Sequence, residues 1–202
     1  GDEVYEDFTG ITADGFYKKL LDDSKIVPSS TMPSIGEYLD LLADLEEKGY
    51  EEVLVITISS ELSGTYNALL AQTNLYEGPL NIRMLDSRNA AISEGYITLE
   101  AFRHFKDGKT LDETYAILEK TRLQRKQYFM VDNLRLFVAN GRLSGASGFI
   151  GSMFKIKPIL EVNQEGKIVS LEKIRTQKKS LARMADIILK DLETIDTFIM
   201  TY

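Results

Sequence analysis

Three serines and a glycine follow a short apolar run in the first third of the chain. The run, Val53 to Ile58, is rich in β-branched residues and is typical of a strand buried in a parallel sheet. Helical spacing begins at Thr65, which is expected to cap the helix. The turn between strand and helix contains the candidate ligand-binding residues Ser59, Ser60, Ser63 and Gly64.

This combination predicts an anion-binding site. A helix N-terminus offers unpaired N–H groups and a favourable dipole to an anion. A serine hydroxyl can donate to a carboxylate or a phosphate without adding a charge of its own. Ser63 is the strongest candidate because it directly precedes the expected start of the helix.

A second hydroxyl-rich segment lies upstream, between two prolines that favour extended backbone. Ser34 and Glu37 have the spacing of a capping box, and Gly49 is expected to end the helix that they begin. Capping accounts fully for Ser34, whereas Ser30 and Thr31 cap no evident helix.

The bulk composition excludes several classes of protein. The 24 basic and 31 acidic residues give a net charge of −7, which argues against nucleic acid as a partner. With no cysteine and one histidine, neither a structural zinc site nor a Cys/His nucleophile pair is expected. We also expect no metal or cofactor, no span of the roughly 20 apolar residues that cross a bilayer, and a cytoplasmic location.

The residues considered so far leave two specific functions open, a serine esterase and a phosphate-binding module. A serine esterase is disfavoured because Ser63 lies outside a Gly-x-Ser-x-Gly elbow and His104 lies in an unrelated helical stretch. A module that binds a phosphate or sugar phosphate would use the same helix N-terminus.

The predicted elements that position these residues are alternating strands and helices. Leu80 to Leu85 is a predicted strand followed by Asp86 and Ser87, which could line the same crevice. Predicted helices cover Ser93 to Lys106 and Leu111 to about Leu123, and strands that alternate with helices imply parallel β-α units.

The pattern restarts near Gln127 and becomes antiparallel. Ile156 to Val162 and Lys167 to Lys173 form a predicted hairpin. The other predicted elements are a strand at 128–131, a short helix at 134–139, a helix that follows residues 175–179 and ends at about Leu192, and a closing strand at 197–202. Gly145, Gly148 and Gly151 lie among apolar residues, which fits either a mobile flap beside a cavity or close helix packing.

Several motifs resemble those of the DegV family of bacterial fatty-acid-binding proteins. Residues 59–65 resemble its Ser-Ser-Gly-Leu-Ser-Gly-Thr signature, and residues 30–34 partly match its Thr-Ser-Gln-Pro-Ser signature. Asp86-Ser87, Arg142-Leu143-Ser144 and residues 175–179 add further matches. The family pattern extends beyond both ends of this sequence, so we expect a chain trimmed at both ends. Met32 and Glu61 depart from the signatures.

The resemblance implies a fold and a function. The expected architecture is a parallel β-α lobe, residues 1–124, followed by the start of a second mixed-sheet α/β lobe, residues 125–202, with the ligand between them. The implied ligand is a long-chain fatty acid whose carboxylate is held by hydroxyls, and the resemblance favours Ser30 and Thr31 as further contacts. The family's fatty acid is phosphorylated by a separate fatty acid kinase, so this chain is expected to perform no chemistry itself.

Basic residues crowd the later half of the chain, whereas the first half is acidic. This asymmetry suggests a docking face for a partner, with Arg142 and Arg175 as its best candidates. Transient contact with a membrane surface is also compatible with a lipid carrier.

Overall fold

The computed structural model of the chain describes residues 3–6, 9–23, 25–145 and 156–194. The chain forms two compact units, residues 1–30 and residues 31–202. Across the described ranges there are seven helices and five strands. The predicted division into lobes at residues 1–124 and 125–202 stays a prediction.

The first unit contains one described helix, α1 (Ala13–Asp22). It begins where the Thr12 hydroxyl accepts a hydrogen bond from the Gly15 N–H at 3.2 Å. No residue of α1 is buried, although its sequence is amphipathic.

A parallel strand pair organises the first half of the second unit. β1 (Glu52–Thr57) and β2 (Asn81–Asp86) pair in register from Glu52 opposite Asn81 to Thr57 opposite Asp86. Four helices flank them: α2 (Ile35–Glu47), α3 (Thr65–Thr73), α4 (Ala91–Lys106) and α5 (Leu111–Gln124). One apolar cluster joins the strands to α2 and α3, and another joins them to α4 and α5. Covering of both faces accounts for the continuous apolar run in β1, whereas β2 is interrupted by the exposed Arg83.

The predicted capping box at the start of α2 is present, and a second capping box begins α5. The Ser34 hydroxyl accepts from the Glu37 N–H at 3.2 Å, and the Glu37 carboxylate accepts from the Ser34 N–H at 2.7 Å. Thr110 and Glu113 make the same reciprocal pair at the start of α5. Gly49 has a φ of +76° just beyond α2, which explains why a glycine ends this helix.

The second half is built on an antiparallel sheet. Its strands are β3 (Gln127–Phe129), β4 (Ile159–Val162) and β5 (Ile168–Glu172), in the order β3-β4-β5. Two helices accompany it, α6 (Arg135–Ala139) and α7 (Gln177–Asp191). The predicted hairpin is confirmed as the antiparallel pairing of β4 and β5.

Some predictions differ from the structure or lie outside it. The strand predicted from Ile156 begins only at Ile159, because Pro158 has no N–H with which to join a ladder. Gly148, Gly151 and the closing strand predicted at 197–202 lie outside the described residues.

Candidate functional site

The site predicted from the serines lies at the carboxyl edge of the parallel strand pair. α3 starts shortly after β1, and α2 ends shortly before it. Both helices pack on the same face of the strands and run opposite to them, so their N-termini are directed toward this edge. In open α/β sheets, ligands bind beyond the carboxyl ends of the strands.

The serine turn, residues 59–64, is a compact backbone structure. The Ser59 carbonyl accepts from both the Leu62 and the Ser63 N–H groups, each at 3.0 Å. Leu62 is 8% exposed and packs into the apolar cluster of the antiparallel sheet, against residues such as Leu134 and Leu160. The turn therefore links the parallel pair to the core of the second sheet.

Ser59 is completely buried. Its hydroxyl donates to the carbonyl of Gly166, in the turn between β4 and β5, at 2.8 Å. The same hydroxyl oxygen accepts from the Glu61 N–H at 3.3 Å. A ligand role for Ser59 stays a prediction, and its hydroxyl proton already has an acceptor.

Ser60 is braced by the carboxylate of Asp86 at the end of β2. Its hydroxyl donates to Asp86 Oδ2 at 2.6 Å, and its backbone N–H donates to Oδ1 at 3.2 Å. The Arg88 N–H also donates to Oδ1, at 2.9 Å. The sequence indicated that Asp86 could line this crevice, and the hydrogen bonds show how it fixes the turn. The ligand role of Ser60 stays a prediction.

Ser63 and Gly64 form the N-terminal end of α3. The expectation that Thr65 caps this helix is wrong, because Thr65 is its first helical residue and Gly64 occupies the cap position without a side-chain hydrogen bond. Ser63 is half-buried, and its oxygen lies 2.8 Å from the Thr65 hydroxyl and 3.3 Å from the Thr65 N–H. Ser63 thus serves the capping function that was assigned to Thr65.

The opening in front of α3 is accessible. Gly64 is exposed, and a Cβ built on it would meet nothing within 4 Å. Within the described ranges, the N–H groups of Gly64, Tyr66 and Asn67 have no hydrogen-bond acceptor. These groups and the hydroxyls of Ser63 and Thr65 can therefore be reached by an anion from solvent.

Ser30 and Thr31 have a different environment. Both are exposed, and neither hydroxyl has a hydrogen-bond partner in the part of the chain that the structure describes. Thr31 lies three residues before Ser34, the N-cap of α2. The ligand roles of Ser30 and Thr31 stay predictions.

Charged side chains lie on and around the serine turn. Glu61, within the turn, is exposed, and its carboxylate lies 4.0 Å from the Lys167 ammonium. Nε of Arg142 donates to the Leu62 carbonyl at 3.0 Å, so this exposed arginine also holds the turn from outside. Arg175 is exposed, just before α7.

A family model described as "Uncharacterised protein, DegV family" matches residues 1–198. The chain belongs to the DegV family. The membership predicted from the hydroxyl-rich motifs is therefore confirmed, and so is the α/β fold class with a parallel and a separate antiparallel sheet.

Relatives in the DegV family match most of this chain. A DegV domain-containing protein of Listeria monocytogenes is 35% identical over 189 residues, which cover 94% of this chain and 66% of the relative. The crystal structure of a fatty acid binding DegV family protein from Streptococcus agalactiae has a TM-score of 0.86 at 31% identity and covers 93% of this chain and 66% of that one. The structure of DegV, a fatty acid binding protein from Bacillus subtilis, has a TM-score of 0.76 at 32% identity and covers 89% and 63%. The chain spans about two thirds of the length of the curated relatives it matches.

The two cavities described below lie away from the serine turn of this DegV-family chain. A cavity of about 440 Å³ lies between α7 and the strands β3 and β5, and one of about 110 Å³ lies beside Asp132 and Lys157. Neither is lined by the serine turn, so the expected position of the ligand between two lobes stays a prediction. In the described ranges, no acidic or histidine cluster could hold a metal, and no helix has the length and apolarity to span a bilayer.

Sequence reasoning missed the partners that hold the turn in place. It placed Gly166 in the turn of the predicted hairpin but did not indicate that its carbonyl is the acceptor for Ser59. It assigned Arg142 to a docking face, whereas this side chain also binds the turn. Both partners lie far away along the chain, and the local pattern around the serines carries no signal for them.

Proposed function

We propose that this DegV-family chain binds a long-chain fatty acid, with its carboxylate at the N-terminus of α3, and presents it to a separate fatty acid kinase. The observation that carries the proposal is the arrangement of Ser63, Gly64 and Thr65. Two hydroxyls lie 2.8 Å apart beside an exposed glycine and N–H groups that have no acceptor in the described structure. Relatives named for fatty acid binding, from Streptococcus agalactiae and Bacillus subtilis, support the choice of ligand.

A carboxylate suits this arrangement chemically. Ser63 and Thr65 share one hydrogen bond, so one of their two protons remains available to donate to a carboxylate oxygen. The N–H groups of the first helical turn and the helix dipole add stabilisation for a negative charge. No lysine or arginine belongs to residues 59–67, so the donors that this segment itself offers to the acid are uncharged.

Binding through uncharged hydrogen-bond donors also fits the reaction that the ligand is expected to undergo. A salt bridge would lower the nucleophilicity of the carboxylate, whereas hydroxyl donors leave it able to attack a phosphoryl group. On this proposal the kinase catalyses formation of the acyl phosphate and the present chain only positions the acid. Arg142 and Arg175 remain the proposed docking residues for the kinase, and Thr31 and Ser30 the proposed additional contacts for the carboxylate.

The acyl tail would supply most of the affinity. Each buried methylene contributes about 0.8 kcal/mol, so about fifteen of them contribute on the order of 12 kcal/mol before the entropy losses of binding. The head group then fixes the orientation of the acid and contributes a smaller share of the affinity.

The proposal is tested by extracting the purified protein with organic solvent and identifying the bound molecule by mass spectrometry. We expect a long-chain fatty acid near one equivalent per chain. A phosphorylated metabolite would instead establish the phosphate-binding alternative, and hydrolysis of a test ester that is lost in Ser63→Ala would establish the esterase. Either result would overturn the carrier function.

A matched pair of variants locates the head group. Ser63→Ala is expected to lower retention of added oleate, because it removes the hydroxyl at the start of α3. Ser34→Ala removes the equivalent capping hydroxyl from α2 and is expected to leave retention unchanged. Equal retention in both variants would show that Ser63 does not bind the carboxylate.

A further inference from the structure

Ser59 uses every polar group that it has. Its N–H donates to the Asn89 carbonyl at 2.9 Å, and its carbonyl accepts from Leu62 and Ser63. Its hydroxyl donates to Gly166 and accepts from Glu61. A completely buried serine with all of these bonds satisfied has no hydroxyl proton to offer to a ligand.

Because Gly166 has no side chain, the Ser59 hydroxyl can approach its backbone closely. Gly166 is buried, and its φ of +88° favours glycine. A Cβ at this position would lie 2.1 Å from Ser59 Oγ and 3.2 Å from Arg88 Cα. Any other residue would therefore push the hairpin turn and Ser59 apart.

The hairpin turn that presents the Gly166 carbonyl is itself firmly held. The Gly166 N–H donates to the Asn163 carbonyl at 2.9 Å. The side-chain oxygen of Asn163 accepts from the N–H groups of Glu165 at 3.1 Å and Lys167 at 2.9 Å. A rigid turn can fix the position of a group that is bonded to it.

We propose that Ser59 is a positioning residue and that the Gly166 carbonyl, acting through Ser59, holds Ser63 in place to bind the ligand carboxylate. The proposal rests on the function proposed above. Two consecutive hydrogen bonds form the link: Ser59 Oγ to the Gly166 carbonyl, and the Ser63 N–H to the Ser59 carbonyl. The antiparallel sheet thereby sets the geometry of a site that belongs to the parallel strand pair.

The first test compares two buried serines. Ser59→Ala leaves the buried Gly166 carbonyl without its donor and is expected to weaken oleate binding about tenfold, the effect of one misplaced hydrogen-bond group. Ser180 is the matched control, because it is also completely buried and donates its hydroxyl to a distant carbonyl, that of Lys157. Ser180→Ala is expected to lose similar stability and to bind oleate as the unmodified chain does.

The second test compares two glycines with left-handed backbone. Gly166→Ala introduces both strain and a collision with Ser59 Oγ. Gly108 has a φ of +80° and nothing within 4 Å of a built Cβ, so Gly108→Ala introduces the strain alone. Only Gly166→Ala is expected to weaken oleate binding, again about tenfold.

A readout without ligand separates this inference from the proposed function. In the ligand-free protein, Ser59→Ala should accelerate amide hydrogen exchange at Leu62 and Ser63, whereas Ser180→Ala should not. If the unmodified chain binds no oleate, the proposed function fails, and this exchange decides the positioning role. Unchanged exchange in Ser59→Ala, undiminished oleate binding by Ser59→Ala, or equal weakening in Ser180→Ala would each overturn the inference.

Discussion

The serine turn and the segment Thr31–Ser34 have similar side chains but different physical settings. The turn buries Ser59 and Leu62, and two of its hydroxyls and one of its carbonyls are bonded to partners from three other parts of the chain. The segment is exposed throughout, and its one described anchor is the local capping box of Ser34. The comparison teaches that a hydroxyl-rich motif becomes a preorganised site only where the fold supplies distant partners.

The largest expected difference between the two regions concerns an apolar residue in each. Leu62→Ala is expected to lower the free energy of unfolding by about 3 kcal/mol, because it leaves a cavity in the cluster under the antiparallel sheet. Met32 is 41% exposed, and Met32→Ala should change stability by no more than about 0.5 kcal/mol. Urea denaturation of both variants measures the difference, and comparable losses would show that the segment is as firmly packed as the turn.

The next difference concerns the carboxylate that braces each region. Asp86 accepts two bonds from Ser60 and one from Arg88, and its side chain is buried. Asp86→Asn replaces one acceptor oxygen with a donor and should cost about 2 kcal/mol.

Glu37→Gln is the matched change for the segment, since the exposed Glu37 carboxylate accepts from the Ser34 N–H at the end of the segment. It should destabilise less than Asp86→Asn does. The thermal midpoints of the two variants provide the measurement, and a larger loss from Glu37→Gln would reverse the ranking.

Local sequence patterns predict the parts of the fold that local physics decides. The apolar runs located β1 and β2 within one residue, and the Ser-x-x-Glu spacing located the start of α2 correctly. The cap of α3 was misplaced because a Ser-Gly-Thr sequence fits a cap at more than one position, and only the backbone geometry distinguishes them.

The candidate site was less predictable than the fold. The bond from Ser59 to Gly166 spans 107 residues, and neither residue has a neighbour that indicates the other. Sequence reasoning could therefore select the serines as a group but could not separate those that position the turn from those that face solvent. That distinction depends on which carbonyl lies opposite each hydroxyl, which is a property of the tertiary fold.

Within the segment, smaller effects are expected from two variants, one of which should change only stability and the other only oleate retention. Ser34→Ala should cost about 1 kcal/mol of stability, since it removes an N-cap, and should leave oleate retention unchanged. Thr31→Ala should leave stability unchanged, because the threonine is exposed and its hydroxyl has no partner in the described structure. On the proposed function, Thr31→Ala should still reduce oleate retention. If Thr31→Ala affects neither property, Thr31 does not contribute to the site.

The smallest effect is a pH dependence confined to the segment. The hydrogen bond from the Ser34 N–H, followed by that from its hydroxyl, lowers the pKa of Glu37 below the ordinary glutamate value. A carboxyl whose pKa is lower in the folded state stabilises the fold above its unfolded pKa. The stabilisation disappears as the pH falls through the folded pKa.

The start of α2 should therefore weaken only under acidic conditions, below the ordinary glutamate pKa. Glu37→Gln, which cannot ionise, should remove this part of the acid sensitivity. Thr110 lowers the pKa of Glu113 in the same way at the start of α5, so the measured quantity is the difference between the two proteins in thermal midpoint across the acid range. A difference that does not shrink on acidification would show that the Glu37 carboxylate is not stabilised by its bonds to Ser34. The serine turn is held by the buried carboxylate of Asp86, so Glu37→Gln should not change the stability of the turn.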